Sequence, residues 1–409
     1  MKYILFIGDG MADNPVPELG GKTPLEYADI PNIDKLAGKG VVGSVKTVPP
    51  GLPAGSDTAI LSILGCDISK SYSGRAPLEA AASNIFLDPG NVAYRCNLVC
   101  IEDGDMPYEK RKMLSHSAGS IEGEDALGLM DALFADKRFS EAMKKAQMII
   151  HTSPNFRQTA VQKTADFEGI RLAPPHNYIG TEVGEILPSG CENAEILKKL
   201  MKISFEVMDK HPINERRRSE GKMPANSIWL WAEGTAVSLQ NFYETYGKRG
   251  AVVSAVPLVQ GIAKLIGLDV YEVEGATGEL DTNLEGKVET AAKLVHDYDF
   301  VVLHVEAPDE CTHNGDLKGK LQAINWLDSR VLVPLMAKLD AAGEDYRILF
   351  LSDHKTLTET RGHDGDPVPY LLYDSTKNMN NEPVFNEKQG AAGPFIEKGI
   401  MLMDTLFGN

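Results

Sequence analysis

Three apolar runs of strand length lie near the two ends of the chain: Lys2–Gly8, Asp299–Val305 and Tyr346–Ser352. None of them alternates between apolar and polar positions, so each is expected to be a strand buried on both faces of a sheet. Each run is followed closely by a carboxylate, namely Asp9, Asp309 or Asp353. Two further strands are predicted, over Val41–Thr47 and Val368–Tyr373.

Helical periodicity fills the segments between these strands. Apolar positions recur at helical spacing from Pro24 to Ala37, and Pro31 is expected to divide that helix. Gly319–Ala342 has the same spacing, with an expected kink at Pro334. Strands that alternate with helices predict an α/β fold with a mostly parallel central sheet flanked by helices. Ligands gather at the carboxyl ends of parallel strands, so the three acids are expected to lie close together.

The middle of the chain, residues 76–244, has a different sequence pattern. Short strand-like and helical stretches alternate there with loops rich in Arg, Pro and Asn. We interpret this segment as a smaller inserted α/β domain. The first domain is then discontinuous and comprises residues 1–75 and 245–409.

Charge and composition narrow the range of partners. The chain of 409 residues carries 41 Lys and Arg against 58 Asp and Glu, a formal net charge of −17. An acidic surface repels a phosphate backbone, so we expect no nucleic acid partner. No apolar stretch approaches the roughly 20 residues of a membrane span, so no membrane partner is expected. The five cysteines form no C-x-x-C pair, which predicts free thiols in a reducing cytoplasm.

Two nucleotide-binding motifs are incomplete. Gly8–Asp13 follows a strand as a dinucleotide fingerprint does, but Asp13 replaces its third glycine. Gly21-Lys22-Thr23 resembles the end of a phosphate-binding loop, but Val16 stands where that loop requires its first glycine. The sequence therefore gives no support for ATP or NAD binding.

Carboxylates and imidazoles cluster after the C-terminal strands in a pattern typical of metal ligands. Asp309 and His313 are four residues apart, so a helical turn or a tight loop would place them on one side. Asp353-His354 is an adjacent pair at a strand end, so its two side chains are expected to diverge and to bind two neighbouring ions, or to bind one ion if the loop is bent. His363 follows in a loop, and Asp9 adds a carboxylate from the first strand. Such ligands, without thiolates, suit Mn²⁺, Mg²⁺ or Zn²⁺.

Each of these motifs alone is more often a solvated loop than a ligand set. Their occurrence at consecutive strand ends favours two divalent ions. Two ions about 3.5–4 Å apart clamp the attacking and leaving oxygens of a phosphoryl transfer.

Ser56 is the candidate nucleophile. It follows a Pro/Gly-rich stretch and precedes an apolar helix expected over Thr58–Leu64. A serine in this place is commonly a helix N-cap. The same position also suits a bound phosphate, because the helix N-terminus offers free N–H groups and a positive dipole end. A hydroxyl bound to a metal ion loses its proton more readily and becomes a competent nucleophile.

Together these residues resemble the alkaline phosphatase superfamily and, more narrowly, the cofactor-independent phosphoglycerate mutases of the archaeal type. The resemblance is carried by Asp9, Ser56, Asp309-x-x-x-His313, Asp353-His354 and His363 before Pro367-Val368-Pro369. Further family signatures are Pro31–Leu36, Gly74–Ala80 and the stretch from His211 to Asn226. The resemblance covers nearly the whole chain and implies an alkaline-phosphatase-like fold.

The resemblance also implies two divalent metal ions, for which we expect Mn²⁺, with Mg²⁺ or Zn²⁺ as alternatives. The implied ligands of one ion are Asp309, His313 and His363. The implied ligands of the other ion are Asp9, Ser56, Asp353 and His354.

The implied activity is the interconversion of 3-phosphoglycerate and 2-phosphoglycerate in glycolysis, without 2,3-bisphosphoglycerate. Ser56 would take the phosphoryl group and become phosphoserine. The bound glycerate would then reorient and accept the group on its other hydroxyl. Closure of the inserted domain would keep water out of this intramolecular phosphotransfer.

A small phosphorylated carboxylate requires cationic groups, and the fork of an arginine fits both of its anionic ends. The candidates in the insert are Arg95, Arg157 and Arg217, with Lys248 near its end. The loop around His116 looks like a family substrate loop. Related proteins often carry Asp and His where this chain has His116 and Ser120.

Three alternatives remain at this point. A related phosphotransferase of the homoserine kinase kind would keep the site and change the acceptor. A metal-dependent phosphatase would pass the phosphoryl group to water. A catalytically silent metal-binding module would have lost the serine or some ligands, whereas every expected position is filled here.

Overall fold

The computed structural model describes residues 1–68, 72–377 and 379–408. The strands are β1 (Lys2–Gly8), β2 (Val41–Val45), β3 (Asn91–Ile101), β4 (Met113–Ser115), β5 (Met148–His151), β6 (Arg157–Lys163), β7 (Ser227–Thr235), β8 (Gly250–Val253), β9 (Asp269–Tyr271), β10 (Phe300–Val305), β11 (Tyr346–Leu351), β12 (Lys355–Leu357), β13 (Gly362–Asp364), β14 (Val368–Asp374) and β15 (Phe395–Ile396).

The α-helices are α1 (Pro24–Tyr27), α2 (Pro31–Ala37), α3 (Ser56–Ile63), α4 (Ala76–Ala82), α5 (Glu124–Ala135), α6 (Lys137–Lys145), α7 (Val183–Ile186), α8 (Glu192–Met208), α9 (Pro212–Ser219), α10 (Phe242–Tyr246), α11 (Pro257–Leu265), α12 (Leu284–Asp297), α13 (Ala307–His313), α14 (Leu317–Trp326), α15 (Val333–Ala342), α16 (Glu387–Ala392) and α17 (Leu402–Phe407). No described helix combines the length and the apolar composition that crossing a membrane requires.

The chain divides into two compact units. The first unit comprises Met1–Tyr72, Ala81–Ser83 and Ser238–Asn409, and the second comprises Ser73–Ala80 and Asn84–Val237. The bounds inferred from the sequence, 1–75 and 245–409 around 76–244, and the roles given to the two parts stay predictions.

The first unit is built on an eight-stranded sheet in the order β15-β2-β14-β11-β1-β10-β8-β9. β11, β1, β10, β8 and β9 run parallel to one another, whereas β14 is antiparallel to both β11 and β2. The predicted α/β fold with a mostly parallel central sheet is therefore confirmed. Four successive residues of β1, Ile4, Leu5, Phe6 and Ile7, are fully buried, which explains why this strand is apolar without alternation.

One face of this sheet carries the largest apolar cluster of the unit. Ile4, Leu303 and Phe350 from the three central strands pack there with Leu294 of α12 and Leu327 after α14. The predicted helix Gly319–Ala342 is α14 and α15 joined by π-helical turns over Leu327–Leu332. Pro334 lies just after those turns, and its missing N–H removes one α-helical hydrogen bond there.

The second unit contains a five-stranded sheet that is antiparallel throughout. Its order is β4-β3-β6-β5, and β7 pairs with the other side of β3. The helices α5, α6 and α8 pack on it through a separate apolar cluster that includes Leu129, Phe139 and Leu200. This unit thus has a core of its own.

Candidate active site

The three predicted acids lie at one edge of the first unit's sheet. Gly8 of β1 is level with Val305 of β10, and Ile7 is level with Leu351 of β11. Because these strands are parallel, the residues that follow them leave the sheet at the same edge. Asp9 follows β1 directly, Asp309 lies in the first turn of α13, and Asp353 lies in the bend after β11.

The first group of candidate ligands is formed by α13 and the hairpin of β12 and β13. Asp309 and His313 lie one helical turn apart, with Nε2 of His313 3.1 Å from Oδ2 of Asp309. His363, on β13, brings its Nε2 to 2.9 Å from Nε2 of His313. The predicted DxxxH pair is therefore helical, and His363 joins it from a distant part of the chain.

Hydrogen bonding shows which nitrogens of the His313 imidazole carry protons. Nδ1 of His313 lies 2.7 Å from the carbonyl oxygen of Arg361, which can only accept, so Nδ1 carries a proton. The hydrogen bond to Asp309 raises the pKa of His313 to about 9, so in the metal-free protein its Nε2 is also protonated. A divalent ion would displace that second proton, because imidazole binds metals through an unprotonated nitrogen.

The second group surrounds Ser56. Oγ of Ser56 lies 3.1 Å from Nε2 of His354 and 3.5 Å from Oδ2 of Asp9. Nε2 of His354 also lies 3.2 Å from Oδ2 of Asp353. Of the two arrangements considered for Asp353 and His354, the bent loop is the one observed: β11 ends at Leu351, and the two side chains meet after the bend that follows.

Two buried carboxylate oxygens in this group lack a donor among the described residues. Oδ1 of Asp9 and Oδ2 of Asp353 are buried without a hydrogen-bond partner among the described residues. Burial raises the pKa of Asp9 well above its usual value, and the neighbouring carboxylates Asp353, Asp309 and Glu306 raise it further. Buried carboxylates in such a cluster need cations to balance them.

The donor set fits divalent ions. The ligand atoms of Asp309, His313 and His363 lie within 4.8 Å of one another, and so do those of Asp9, Asp309 and His354. Asp309 thus belongs to both groups, whereas the sequence-based assignment gave it to one ion only. Carboxylates and imidazoles without thiolates suit Mn²⁺, Mg²⁺ and Zn²⁺ alike.

The backbone around Ser56 exposes its hydroxyl group to this cluster. α3 begins at Ser56, two residues earlier than expected, and the N-cap is Gly55 in extended conformation. Ser56 is therefore the first helical residue and not the cap. A Cβ atom at Gly55 would lie 2.9 Å from Oδ1 of Asp57, so the small residue before the serine leaves room for this turn.

Position 10 requires a glycine for two separate reasons. Its φ of +61° is in the left-handed region, which other residues adopt at a cost. A Cβ atom there would lie 2.5 Å from Oγ1 of Thr356 and 2.6 Å from Oδ1 of Asp309. Any side chain at this position would therefore displace a candidate ligand.

Comparison with known proteins assigns the chain to a family. Residues 37–214 match the family model described as 2,3-bisphosphoglycerate-independent phosphoglycerate mutase. A Methanosarcina barkeri protein of that name is 42% identical over 409 residues, covering 100% of this chain and 98% of that protein. The chain belongs to the 2,3-bisphosphoglycerate-independent phosphoglycerate mutase family. A Geobacter sulfurreducens protein named as a probable member is also 42% identical, covering 99% of each chain.

Solved structures agree with this assignment to the mutase family. A Pyrococcus horikoshii protein is 33% identical, with a TM-score of 0.78, covering 100% of this chain and 96% of that one. The cofactor-independent phosphoglycerate mutase from Thermoplasma acidophilum is 25% identical, with a TM-score of 0.64, covering 100% of this chain and 99% of that one. The chain is therefore an enzyme of the mutase family with the family's fold.

Two of the four predicted substrate-binding residues of this mutase-family chain lie in one cationic cluster of the second unit. Arg95 stacks over the ring of Trp231 at 4.3 Å, and its Nε lies 3.0 Å from Glu79. Arg157 is exposed and stacks on Phe156. Burial raises the pKa of Glu79, but Arg95, Arg75 and Arg157 outweigh it and hold the pKa below its usual value.

The other two predicted residues are engaged elsewhere. Arg217 is buried, pairs with Asp125 at 3.2 Å and donates to the carbonyl groups of Ala118 and Met223. The positive charge of Arg217 is thus balanced by Asp125 within the second unit. Lys248 lies over Tyr3 at the beginning of β1, whereas Asp9 follows the other end of that strand. The structure therefore does not bring Lys248 to the Ser56 cluster.

Several residues that contact these clusters were missed by sequence reasoning. Glu79 and Arg75 have the i,i+4 spacing of a helical ion pair, which was a usable signal. His176 lies 5.3 Å from Trp231 and 6.0 Å from His116 between ring centres, and nothing in the local sequence indicates this. Thr356 gave no signal either, although its hydroxyl group contacts Asp309.

Proposed function

We propose that this enzyme interconverts 3-phosphoglycerate and 2-phosphoglycerate without 2,3-bisphosphoglycerate, through a phosphoserine at Ser56. The observation that carries the proposal is the position of the Ser56 hydroxyl, 3.1 Å from His354 and 3.5 Å from Asp9 in a buried cluster of carboxylates and imidazoles. The names of the relatives, phosphoglycerate mutases at 42% identity, supply the substrate.

Two divalent ions held by this cluster would supply charge neutralisation and a lowered pKa for the serine hydroxyl. The proposed ligands are Asp309, His313 and His363 for one ion. For the other they are Asp9, Ser56, Asp353 and His354. We propose Mn²⁺ as the ion in the cell, with Mg²⁺ or Zn²⁺ as alternatives. The carboxylates Asp9 and Asp353 each have a buried oxygen without a hydrogen-bond partner among the described residues, which supports the need for cations in the second group.

The proposed reaction has two transfers. Oγ of Ser56 loses its proton and attacks phosphorus, the bond from phosphorus to the C3 oxygen breaks, and that oxygen becomes a hydroxyl group. The 2-hydroxyl of the glycerate then loses its proton and attacks the phosphoserine. The Oγ–phosphorus bond breaks and Ser56 regains its proton. Atoms and charge balance, and no second substrate is consumed.

The cationic cluster of the second unit is proposed to bind the substrate's anionic groups. Arg95 and Arg157 supply guanidinium groups that fit a carboxylate or a phosphate. His116 and His176 lie beside them. Burial lowers the pKa of both imidazoles, and nearby cationic side chains lower it further, which favours the neutral forms that can both donate to and accept from hydroxyl groups. Arg217 and Lys248 have no part in this proposal.

The function is tested by following 3-phosphoglycerate to 2-phosphoglycerate in an assay coupled to enolase, with Mn²⁺ present and no 2,3-bisphosphoglycerate. We expect sustained turnover without release of inorganic phosphate. Release of phosphate without isomerisation would contradict the proposed mutase activity and would indicate a phosphatase. Inactivity in both assays, with phosphoserine still formed at Ser56, would indicate transfer to another acceptor.

Arg157→Gln is expected to lower kcat/KM for 3-phosphoglycerate by about 10- to 150-fold, the equivalent of a charge-assisted hydrogen bond of about 1.5–3 kcal/mol. Arg157 is exposed, so the stability of the protein should change little. The measurement is steady-state kinetics together with thermal unfolding. Arg138→Gln is the matched control, because Arg138 is an exposed arginine of the same unit that pairs with Asp136 and Glu206. Equal effects of both substitutions would remove Arg157 from the proposed site.

A further inference from the structure

Thr356 is a fully buried residue of β12 whose hydroxyl group contacts one side chain of each candidate ligand group. Oγ1 lies 2.5 Å from Oδ1 of Asp309 and 3.2 Å from Nδ1 of His354. Asp309 is shared by the two groups, and His354 belongs to the one around Ser56. Thr356 is thus a single side chain through which the positions of the two groups are linked.

The direction of these hydrogen bonds follows from the chemistry of the groups. A carboxylate only accepts, so the single hydroxyl proton of Thr356 goes to Asp309. The hydroxyl oxygen can then only accept from His354, which requires a proton on Nδ1. The carbonyl oxygen of Lys355 lies 3.3 Å from the same Nδ1 and is a second acceptor for that proton, at a distance longer than a normal N–H···O hydrogen bond. A neutral His354 therefore carries its proton on Nδ1 and has a lone pair on Nε2.

That lone pair faces the reacting hydroxyl. Nε2 of His354 lies 3.1 Å from Oγ of Ser56 and 3.2 Å from Oδ2 of Asp353. In the opposite tautomer a hydrogen atom would occupy this space and would form a hydrogen bond with a carboxylate. Metal-ligating imidazoles are held in the correct tautomer in this way by the partner of their other nitrogen.

The backbone of Thr356 is fixed on both sides. Its N–H donates to the carbonyl group of Ala12 at 3.0 Å, and its own carbonyl group accepts from Nζ of Lys320 at 2.7 Å. Lys320 is itself fully buried and pairs with Asp13 at 2.9 Å. Gly10 closes the remaining side of the hydroxyl group. The backbone that carries the hydroxyl group is therefore held in place by hydrogen bonds to residues far away in the chain.

We propose that Thr356 is a positioning residue of the phosphoryl-transfer site: its hydroxyl group selects the Nδ1–H tautomer of His354 and fixes the orientation of Asp309. Both side chains then present metal-binding atoms before any ion arrives. The catalytic consequence of this inference rests on the proposed function. Its consequence for metal binding and for the tautomer of His354 does not.

The test compares Thr356→Val, Thr356→Ser and Thr356→Ala in the full-length protein. Valine keeps the shape of threonine and lacks the hydroxyl group, whereas serine keeps the hydroxyl group. We expect Thr356→Val to weaken the binding of Mn²⁺ by about 10- to 100-fold in calorimetry, and Thr356→Ser to remain close to the unsubstituted protein. The ¹⁵N shifts of His354 in metal-free protein should report Nδ1–H in the serine variant and a mixture of tautomers in the valine variant.

The controls separate positioning from folding and from the proposed function. Thr47→Val removes the hydroxyl group of another buried threonine, one without a hydrogen-bond partner among the described residues, and should leave Mn²⁺ affinity unchanged. If the valine variant does not fold, the serine and alanine variants still differ by the hydroxyl group alone. In the mutase assay, kcat should fall in the valine variant while KM changes little.

Equal Mn²⁺ affinity and unchanged ¹⁵N shifts in the valine variant, or in the alanine variant relative to serine, would overturn the proposal. If the unsubstituted protein shows no mutase activity while Thr356→Val still weakens Mn²⁺ binding, the proposal for Thr356 stands and only the proposed function is refuted. The two failures are therefore distinguishable.

Discussion

Ser56→Ala is expected to lower mutase activity by about 10⁴-fold or more, because the residue that accepts the phosphoryl group is then missing. The fold should persist, since alanine is well tolerated at the first position of a helix. Three of the four proposed ligands of the neighbouring ion, Asp9, Asp353 and His354, remain. Metal content should therefore change much less than activity. The measurement combines the enolase-coupled assay with metal analysis of the purified variant.

The matched control is Ser62→Ala. Ser62 is a buried serine of the same helix α3, and its side chain lies beside Gly399 and not in the Ser56 cluster. Its replacement should leave turnover nearly unchanged. A second readout is covalent: mass spectrometry of the enzyme quenched with substrate should detect a phosphoryl group on the peptide that contains Ser56. Normal turnover by Ser56→Ala would rule out the phosphoserine route.

Removal of divalent ions by a chelator is expected to abolish activity, and Mn²⁺ should restore it. Without cations, the buried carboxylates of Asp9 and Asp353 have oxygens that no described donor reaches. Binding of ions to the folded state should also raise the unfolding temperature, since an ion at 100 times its Kd adds about 2.7 kcal/mol of stability. The measurements are metal content, activity and thermal unfolding of the same samples.

The number of metal ions bound per chain provides a second test of the two-metal site. We expect about two ions for each unsubstituted chain. His363→Ala removes a ligand found only in the first group, and Asp353→Asn alters a proposed ligand of the second. Each substitution should lower metal content toward a single ion. Full activity of the metal-free protein, or two ions retained in both variants, would contradict the proposed two-metal site.

The sequence determined the elements that depend on local periodicity. A strand buried on both faces must be apolar at every position, so β1, β10 and β11 were recognisable as strands of a parallel sheet. Asp9 and Asp353 come just after such strands in the sequence, and this was enough to predict that they lie at one edge of the sheet. Asp309 and His313 were predictable for a similar reason, because the α-helix has a fixed period that brings residues four apart together.

The sequence could not determine contacts made by residues far apart in the chain. The approach of His363 to His313 depends on the β12–β13 hairpin, and the bend after β11 turns Asp353 and His354 to one side. Thr356, a residue with no distinguishing local pattern, contacts Asp309 only after the sheet has formed.

The charged residues show the same limit. Arg95, Arg157, Arg217 and Lys248 were all candidates from the sequence as cations near an expected anion site. Folding placed Arg217 in an internal pair with Asp125 and placed Lys248 over Tyr3, at the end of β1 opposite Asp9. The type of each residue and its local period are properties of the sequence. The partner of each charge is decided by tertiary structure, because long-range packing selects which side chains share a space.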